Sequence, residues 1–307
     1  MKNDLGPALV DYGHANPDAV VLDADLSQCT MTSKFQDAFP ERFFNVGIAE
    51  AGLIDTAVGL AMGGKTPFAG TFAATLYRAV EQIRTCVAYN NANVKILANY
   101  AGISDFKDGP THHSLFDLAV MRAMPNMTVV VAADGQELRT MIPLVGDYPG
   151  PVYLRISRTA PPHVSKHAAP IVIGKGRVLR DGDDVTLVTT GIPLARTLDA
   201  HQQLQTQGIS ARVVEMHTLK PFDSELILSC AEETNGFVTI EEHSIIGGLY
   251  GAVTETLCRS RPAPVVPVGI NDTFVRTAPD TDSLLDYGGL SIDNIVQAAK
   301  TVLQLRT

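Results

Sequence analysis

The sequence predicts an α/β fold of two domains, each a mainly parallel sheet flanked by helices. Short β-branched runs alternate with longer helical stretches, the pattern of parallel strands covered on both faces. The 307 residues correspond to about two domains at roughly 150 residues each. At 45% hydrophobic and 19% charged, the chain has the composition of a protein that buries a sizeable core. In chain order, Ala19–Asp23 (AVVLD) reads as a strand after the Asn16-Pro17 turn. Arg42–Val46 is a short extended run. The spacing predicts a helix over Ala49–Met62, rich in small residues and stopped by Gly63-Gly64. A second helix is predicted over Tyr77–Tyr89, where Ala79, Val80, Ile83 and Val87 recur at helical intervals. Val94–Ala98, Met127–Ala132 and Val152–Ile156 are further predicted strands. The stretch Thr159–Pro170 (TAPPHVSKHAAP) holds three prolines and no periodicity and reads as a linker. Domains are therefore expected at 1–160 and 171–307, joined by 161–170. In the second, Val185–Thr189, Ala211–Glu215 and Phe237–Glu241 are predicted strands. Pro193–Gln207 is a predicted helix, and Gly247–Cys258 opens another.

Several function classes are excluded. The formal net charge is -9, with no basic stripe, which argues against nucleic acid as a partner. No apolar run approaches the roughly 18 residues of a membrane span. The opening MKNDLGPALV lacks the apolar core of a secretory signal. Cys29, Cys86, Cys230 and Cys258 are far apart and form no C-x-x-C pair, so neither a zinc site nor a disulfide framework is expected. A cytoplasmic chain is expected. There is no GxGxxG after the first strand, no P-loop, and no metal-ligating histidine spacing.

The candidate chemistry lies near expected strand ends, where open α/β sheets place ligands. Glu50 falls at the start of a helix after an extended run, in a position that also suits a first-turn carboxylate stabilised by the helix dipole. Asp108-Gly109-Pro110-Thr111-His112-His113 sets an aspartate and two imidazoles in one turn, and histidine exchanges protons near neutrality. Phe72 and Tyr77 flank a loop able to form a slot for a planar ring. Arg155 and Arg158 sit at and just after a strand end, where a guanidinium fork suits phosphate or carboxylate. Asp23 and Asp25 offer paired carboxylates after the first strand, either for a cation or as turn formers. The glycines of Ile246-Gly247-Gly248-Leu249 permit close approach of a ligand or of packed backbone.

These segments stand in a recognisable order: LDADLSQCTMTSKF, FPERFFNVGIAEAGLIDTAVGLA, GTFAATLYRAVEQIR, KDGPTHHSLFDLAVMRAMPNM, LRISR and EEHSIIGGLYGAV. Over essentially its whole length the chain resembles the C-terminal half of transketolase, a pyrimidine-binding domain followed by the transketolase C-terminal domain. The resemblance implies two-carbon ketol transfer from a ketose to an aldose, dependent on thiamine diphosphate. The superfamily's diphosphate motif, GDG with a later Asn, is missing; Ala133-Asp134-Gly135 and Asp181-Gly182-Asp183-Asp184 are only look-alikes. The resemblance thus implies one subunit of a split enzyme. An N-terminal transketolase subunit would hold the diphosphate and its Mg2+ or Ca2+, in an α2β2 heterotetramer.

Residue by residue, Glu50 matches the glutamate that bonds N1′ of the aminopyrimidine, and Phe72 the aromatic packed on that ring. Asp25 and Leu26 match the ADL motif lining the cofactor site. His112 matches the histidine near the donor's carbonyl and hydroxyl, Asp108 the aspartate on a substrate hydroxyl, and Arg158 the arginine on the substrate phosphate. The chain departs from the pattern at Ala51, in place of a glutamine, and at Thr75, in place of a second aromatic, for which Tyr77 is an alternative. Tyr100 replaces a phosphate-contacting histidine, Cys29 a serine, and Lys2 roughly an arginine. These changes imply the family reaction on a non-standard anionic ketose: branched, modified or sulfonated. Deoxyxylulose-phosphate synthase and the β subunit of 2-oxo acid dehydrogenases share parts of the pattern. A regulatory subunit that kept the fold is the non-enzyme alternative.

Overall fold

The computed structural model describes residues 1–159, 161, 164 and 169–305. Most of the expected linker, residues 160, 162, 163 and 165–168, lies outside the described residues. The strands are β1 (Ala19–Asp23), β2 (Phe43–Asn45), β3 (Thr66–Phe72), β4 (Lys95–Asn99), β5 (Thr128–Val131), β6 (Val152–Ile156), β7 (Arg177–Arg180), β8 (Val185–Thr190), β9 (Ala211–Glu215), β10 (Thr218–Lys220), β11 (Phe237–Ser244) and β12 (Val265–Ile270). They form two sheets, ordered β10-β5-β6-β4-β3-β1-β2 and β12-β11-β8-β9-β7. All pairings are parallel except β10 with β5 and β7 with β9. Helices cover the sheets, as the alternation of elements predicts.

The strand order of the first sheet fixes where a ligand can lie. From β1 the chain moves outward to β2. It then crosses back to β3 on the other side of β1 and continues to β4. The direction of winding reverses between β1 and β3, and the carboxyl ends of those strands open onto a crevice. β1 is buried at all five positions, as befits a β-branched run inside a parallel sheet. The helix Glu50–Met62 ends as its glycines require: Gly63 caps it and Gly64 takes a left-handed turn at φ +84.

Two features differ from the sequence reading. The stretch expected as one helix over 77–89 is a 3-10 turn over Thr75–Ala79, one α turn over Val80–Gln82 and a π segment over Ile83–Ala88. Leu76, Ala79, Ile83, Val87 and Ala88 are all buried. A helix that tightens at its start and widens at its end turns this uneven set inward together. In addition, β10, from the second half of the sequence, completes an edge of the first sheet rather than joining the second.

Buried polar groups further tie the two halves. The Glu242 carboxylate at the end of β11 accepts from the Ile103 N–H at 2.9 Å and from Ser157 Oγ at 3.1 Å. Arg155 pairs with Asp117 at 2.8 Å and donates to the Glu242 carbonyl at 2.9 Å. Arg177 in β7 bonds both Glu137 and Glu215.

Candidate active site

The predicted site residues gather along the carboxyl edge of the first sheet, each at or just after the end of a strand. After β1, Asp23 is buried and saturated: it accepts from Leu26 N–H at 2.5 Å, Thr30 Oγ1 at 2.9 Å and Thr32 Oγ1 at 2.8 Å. Burial raises its pKa against these bonds. Its oxygens shape the loop, which leaves Asp23 and Asp25 no shared cation site. Asp25 is exposed at φ +64 and is held by Asn45 Nδ2 at 3.0 Å. Leu26 is half-buried beside it, and Cys29 is exposed.

After β2, Glu50 opens the helix Glu50–Met62. Its side chain is only 5% exposed, and its Oε1 accepts from Arg78 Nη1 at 3.0 Å. A carboxylate in a first helical turn is favoured by the helix dipole by about 0.3–1 kcal/mol. Arg78 was not evident as a site residue in the sequence: it lies in a helical stretch, and only the fold brings it back to Glu50.

After β3, Phe72 is buried and stacks on Tyr100 with ring centroids 4.4 Å apart. His112 meets the same Phe72 ring edge-on at 6.1 Å. Thr75 Oγ1 spends its hydrogen bonds on Thr71 Oγ1 and the Phe72 carbonyl, both at 3.0 Å. Tyr77 stacks on Phe116 at 4.2 Å, and its hydroxyl bonds Ser114 Oγ at 2.8 Å. The structure thus groups Phe72, Tyr100 and His112 and directs Tyr77 toward Ser114 and Phe116.

After β4, Tyr100 sits at φ +56, and its hydroxyl donates to the Cys29 carbonyl at 3.3 Å. Burial pushes its pKa up to about 12, so it stays a neutral phenol. The loop that follows leans on the second half of the chain. The Ala278 N–H donates to the Phe106 carbonyl at 3.0 Å, and Gly109, at φ +80, leaves no room for a Cβ beside Thr277. The two histidines divide. His113 is buried, bonds the Asp105 carbonyl through Nε2 at 3.0 Å, and has its pKa lowered by burial. His112 is half-buried, with Nδ1 3.0 Å from Thr111 Oγ1. Asp108 is exposed.

After β6, the two arginines also divide. Arg155 is fully buried in its pair with Asp117 and grips no ligand. Arg158 keeps 19% of its side chain exposed. Its guanidinium lies 5.2 Å from the ring centres of both Tyr100 and Phe106. Its Nη1 bonds the carboxylate of Asp105, a residue with no exposure. Asp105 escaped the sequence reading; its one signal was a carboxylate inside the otherwise uncharged AGISDF. The Lys2 N–H reaches the Arg158 carbonyl at 3.4 Å.

The edge therefore presents a nearly buried carboxylate, a stacked aromatic pair, a half-buried imidazole and an arginine. Residues 1–163 match the pyrimidine-binding domain model of transketolase, and residues 174–295 match its C-terminal domain model. The chain belongs to the transketolase family. Its relatives refine this to the split form. It is 42% identical to a chain of Methanocaldococcus jannaschii described as a transketolase C-terminal section, covering 97% of this chain and 94% of that one. It is 39% identical to a 6-deoxy-6-sulfo-D-fructose transketolase subunit of a Clostridium species, covering 99% and 94%. Among solved structures, a split-gene transketolase described as an inactive β4 tetramer superposes with a TM-score of 0.90 at 45% identity, covering 99% of this chain and 98% of the other. Transketolase in its split form accounts for the whole architecture, from the helix Lys2–Ala15 to the last sheet.

Proposed function

We propose that this chain is the C-terminal subunit of a split transketolase that transfers a two-carbon ketol unit from an anionic ketose to an aldose. The carrying observation is Glu50: a nearly buried carboxylate after β2, the strand beside β1, on the same carboxyl edge as the ring of Phe72. Those two groups suit an aminopyrimidine, which offers a ring nitrogen to a carboxylate and a flat face to an aromatic. When bound, thiamine diphosphate supplies the carbanion chemistry that breaks and makes the carbon–carbon bond.

The chain's own residues bind and orient. Glu50 holds a proton at the pyrimidine ring nitrogen by a charge-assisted hydrogen bond. Phe72 and the turn at Asp25 and Leu26 wall the ring, with Thr75 and Tyr77 on the following turn. His112, half-buried beside Phe72, would exchange a proton with a donor's carbonyl or hydroxyl oxygen. Asp108 takes a hydroxyl of the same chain of carbons. Tyr100, Cys29 and Arg158 form the far wall, where Arg158 receives the anionic end.

The diphosphate and its Mg2+ or Ca2+ belong to an N-terminal partner subunit, in an assembly of two copies of each chain. The β4 form of the split-gene relative, described as inactive, supports that reading. Among the described residues no helix is long and apolar enough to cross a membrane. All four cysteines are unpaired, which fits a reducing compartment, and we place the chain in the cytoplasm.

The test is reconstitution with the N-terminal subunit, thiamine diphosphate and magnesium. Hydroxypyruvate as donor should release carbon dioxide and extend an aldose acceptor by two carbons. No release from the reconstituted complex would overturn the reading.

A further inference from the structure

Arg158 does not face the cleft as a free cation. Its Nη1 is held by the Asp105 carboxylate, which is wholly buried. Asp105 cannot easily turn away. Its carbonyl is tied to His113 Nε2 at 3.0 Å, and the preceding Ser104 Oγ donates to the Ala101 carbonyl at 2.7 Å. Ser104 Oγ also accepts the Arg158 backbone N–H at 2.9 Å, so arginine and aspartate are fixed from both ends. Among the described residues Asp105 is the only hydrogen-bond partner of the Arg158 side chain, which leaves the other edge of its fork open. Asp108 and Lys107, both exposed, follow Asp105 on the same loop, and Lys2, half-buried, reaches the Arg158 carbonyl through its N–H at 3.4 Å. The remaining neighbours of the guanidinium, Tyr100 and Phe106, carry no charge that offsets an incoming anion.

We infer that Asp105 is a specificity-determining residue that restricts the far end of the donor ketose to a singly charged acid and disfavours a phosphate dianion. One negative charge finds the open N–H edge of Arg158. A second finds that edge already filled and lies beside a carboxylate that cannot easily turn away. Repulsion of that kind, across several ångströms at a protein surface, corresponds to roughly 10- to 100-fold in affinity. The inference rests on the transketolase reading, because it takes Arg158 as the receptor for the donor's anionic end.

The experiment separates charge from shape with two esters of one sugar. Fructose 6-sulfate carries one negative charge, and fructose 6-phosphate near pH 8 carries about two. In the reconstituted complex we expect kcat/KM for the sulfate ester to exceed that for the phosphate ester by roughly 10-fold or more. In Asp105→Asn the ratio should fall by a similar factor, because the amide keeps the shape and drops the charge. Equal or better use of the phosphate ester by the unaltered protein would overturn the inference, as would an unchanged ratio in an assembled Asp105→Asn complex. Should Asp105→Asn fail to assemble, the comparison of the two esters on the unaltered complex decides alone. Failure of the transketolase reading shows up separately, as no turnover of hydroxypyruvate. Calorimetric binding of the two esters to the same complex needs no turnover; tighter binding of the sulfate ester supports the assignment of Asp105, and tighter binding of the phosphate ester refutes it.

Discussion

At the scale of single residues, the site is defined by how each ionisable group is paired. Arg155 and Arg158 are three positions apart, yet one is locked in the core by Asp117 and the other keeps 19% of its side chain exposed. His112 and His113 are adjacent, yet His113 is buried and bonded to the Asp105 carbonyl while His112 stays half-buried. Glu50 is the sharpest case. Its only hydrogen-bond partner among the described residues is Arg78, whose side chain is 66% exposed, so solvent already competes for that pair. A ring nitrogen that donates to Glu50 replaces an arginine at modest cost. Glu50→Gln keeps the size of the side chain and removes its charge. We predict that kcat of the reconstituted enzyme falls roughly 10²- to 10³-fold, or about 3–4 kcal/mol, by analogy with a deleted oxyanion-hole donor. Deuterium exchange at C2 of the bound cofactor should slow in parallel, with the melting temperature nearly unchanged. Exchange at the unaltered rate would remove Glu50 from this role.

At the scale of elements, the second half of the chain buttresses the site that the first half presents. Glu242, at the end of β11, reaches the Ile103 N–H and Ser157 Oγ, next to the loops that carry Asp105 and Arg158. Gly102 leaves space for that carboxylate, since a Cβ there would lie 2.3 Å from it. Burial pushes the Glu242 pKa up to about 7, from an ordinary 4.5. The folded chain therefore holds this proton more tightly than the unfolded chain does. The resulting stability is fully present below about pH 4.5 and is lost as pH rises through about 7. His217 and His243, which burial pushes down to about 4, act in the opposite sense. The difference between wild type and Glu242→Gln cancels them. On going from about pH 5 to about pH 8, the variant should gain about 2–3 kcal/mol relative to wild type. Urea unfolding at the two pH values measures this, and a difference independent of pH would show that Glu242 titrates normally. Such cross-chain partners are what the sequence hides. β1, β6 and β9 were legible to the residue because they are β-branched runs with clear borders. β3 was not, because Pro67 and Gly70 interrupt its pattern; a Cβ at Gly70 would press on the Thr32 methyl at 3.3 Å. The helices Lys2–Ala15 and Gly135–Asp147 carry internal Pro7 and Pro143, which mask them. Glu50, Phe72 and His112 could be read from local motifs. Arg78, Asp105 and Glu242 act through partners 28, 53 and 139 positions away, and no local spacing records that.

At the scale of the whole molecule, the proposed function divides the cofactor: its pyrimidine end would meet Glu50 and Phe72 of this chain. The diphosphate end requires a cation and a dense set of donors, and the sequence has no GDG motif to supply them. The cleft edge also exposes apolar side chains that a lone chain leaves to water: Ile48, two residues before Glu50, and Phe116, against which Tyr77 stacks. Assembly with a partner would cover these and close the cofactor between two surfaces. We predict that the isolated chain is inactive with hydroxypyruvate and binds thiamine diphosphate weakly even with magnesium present. Adding the N-terminal subunit should tighten binding at least roughly 100-fold, equivalent to about 3 kcal/mol, and should bring turnover with it. Isothermal titration of each chain alone and of the mixture measures the first effect, and carbon dioxide release measures the second. Tight binding or turnover by this chain alone would mean that it completes the site without the N-terminal subunit, and the division of the cofactor between two chains would have to be abandoned.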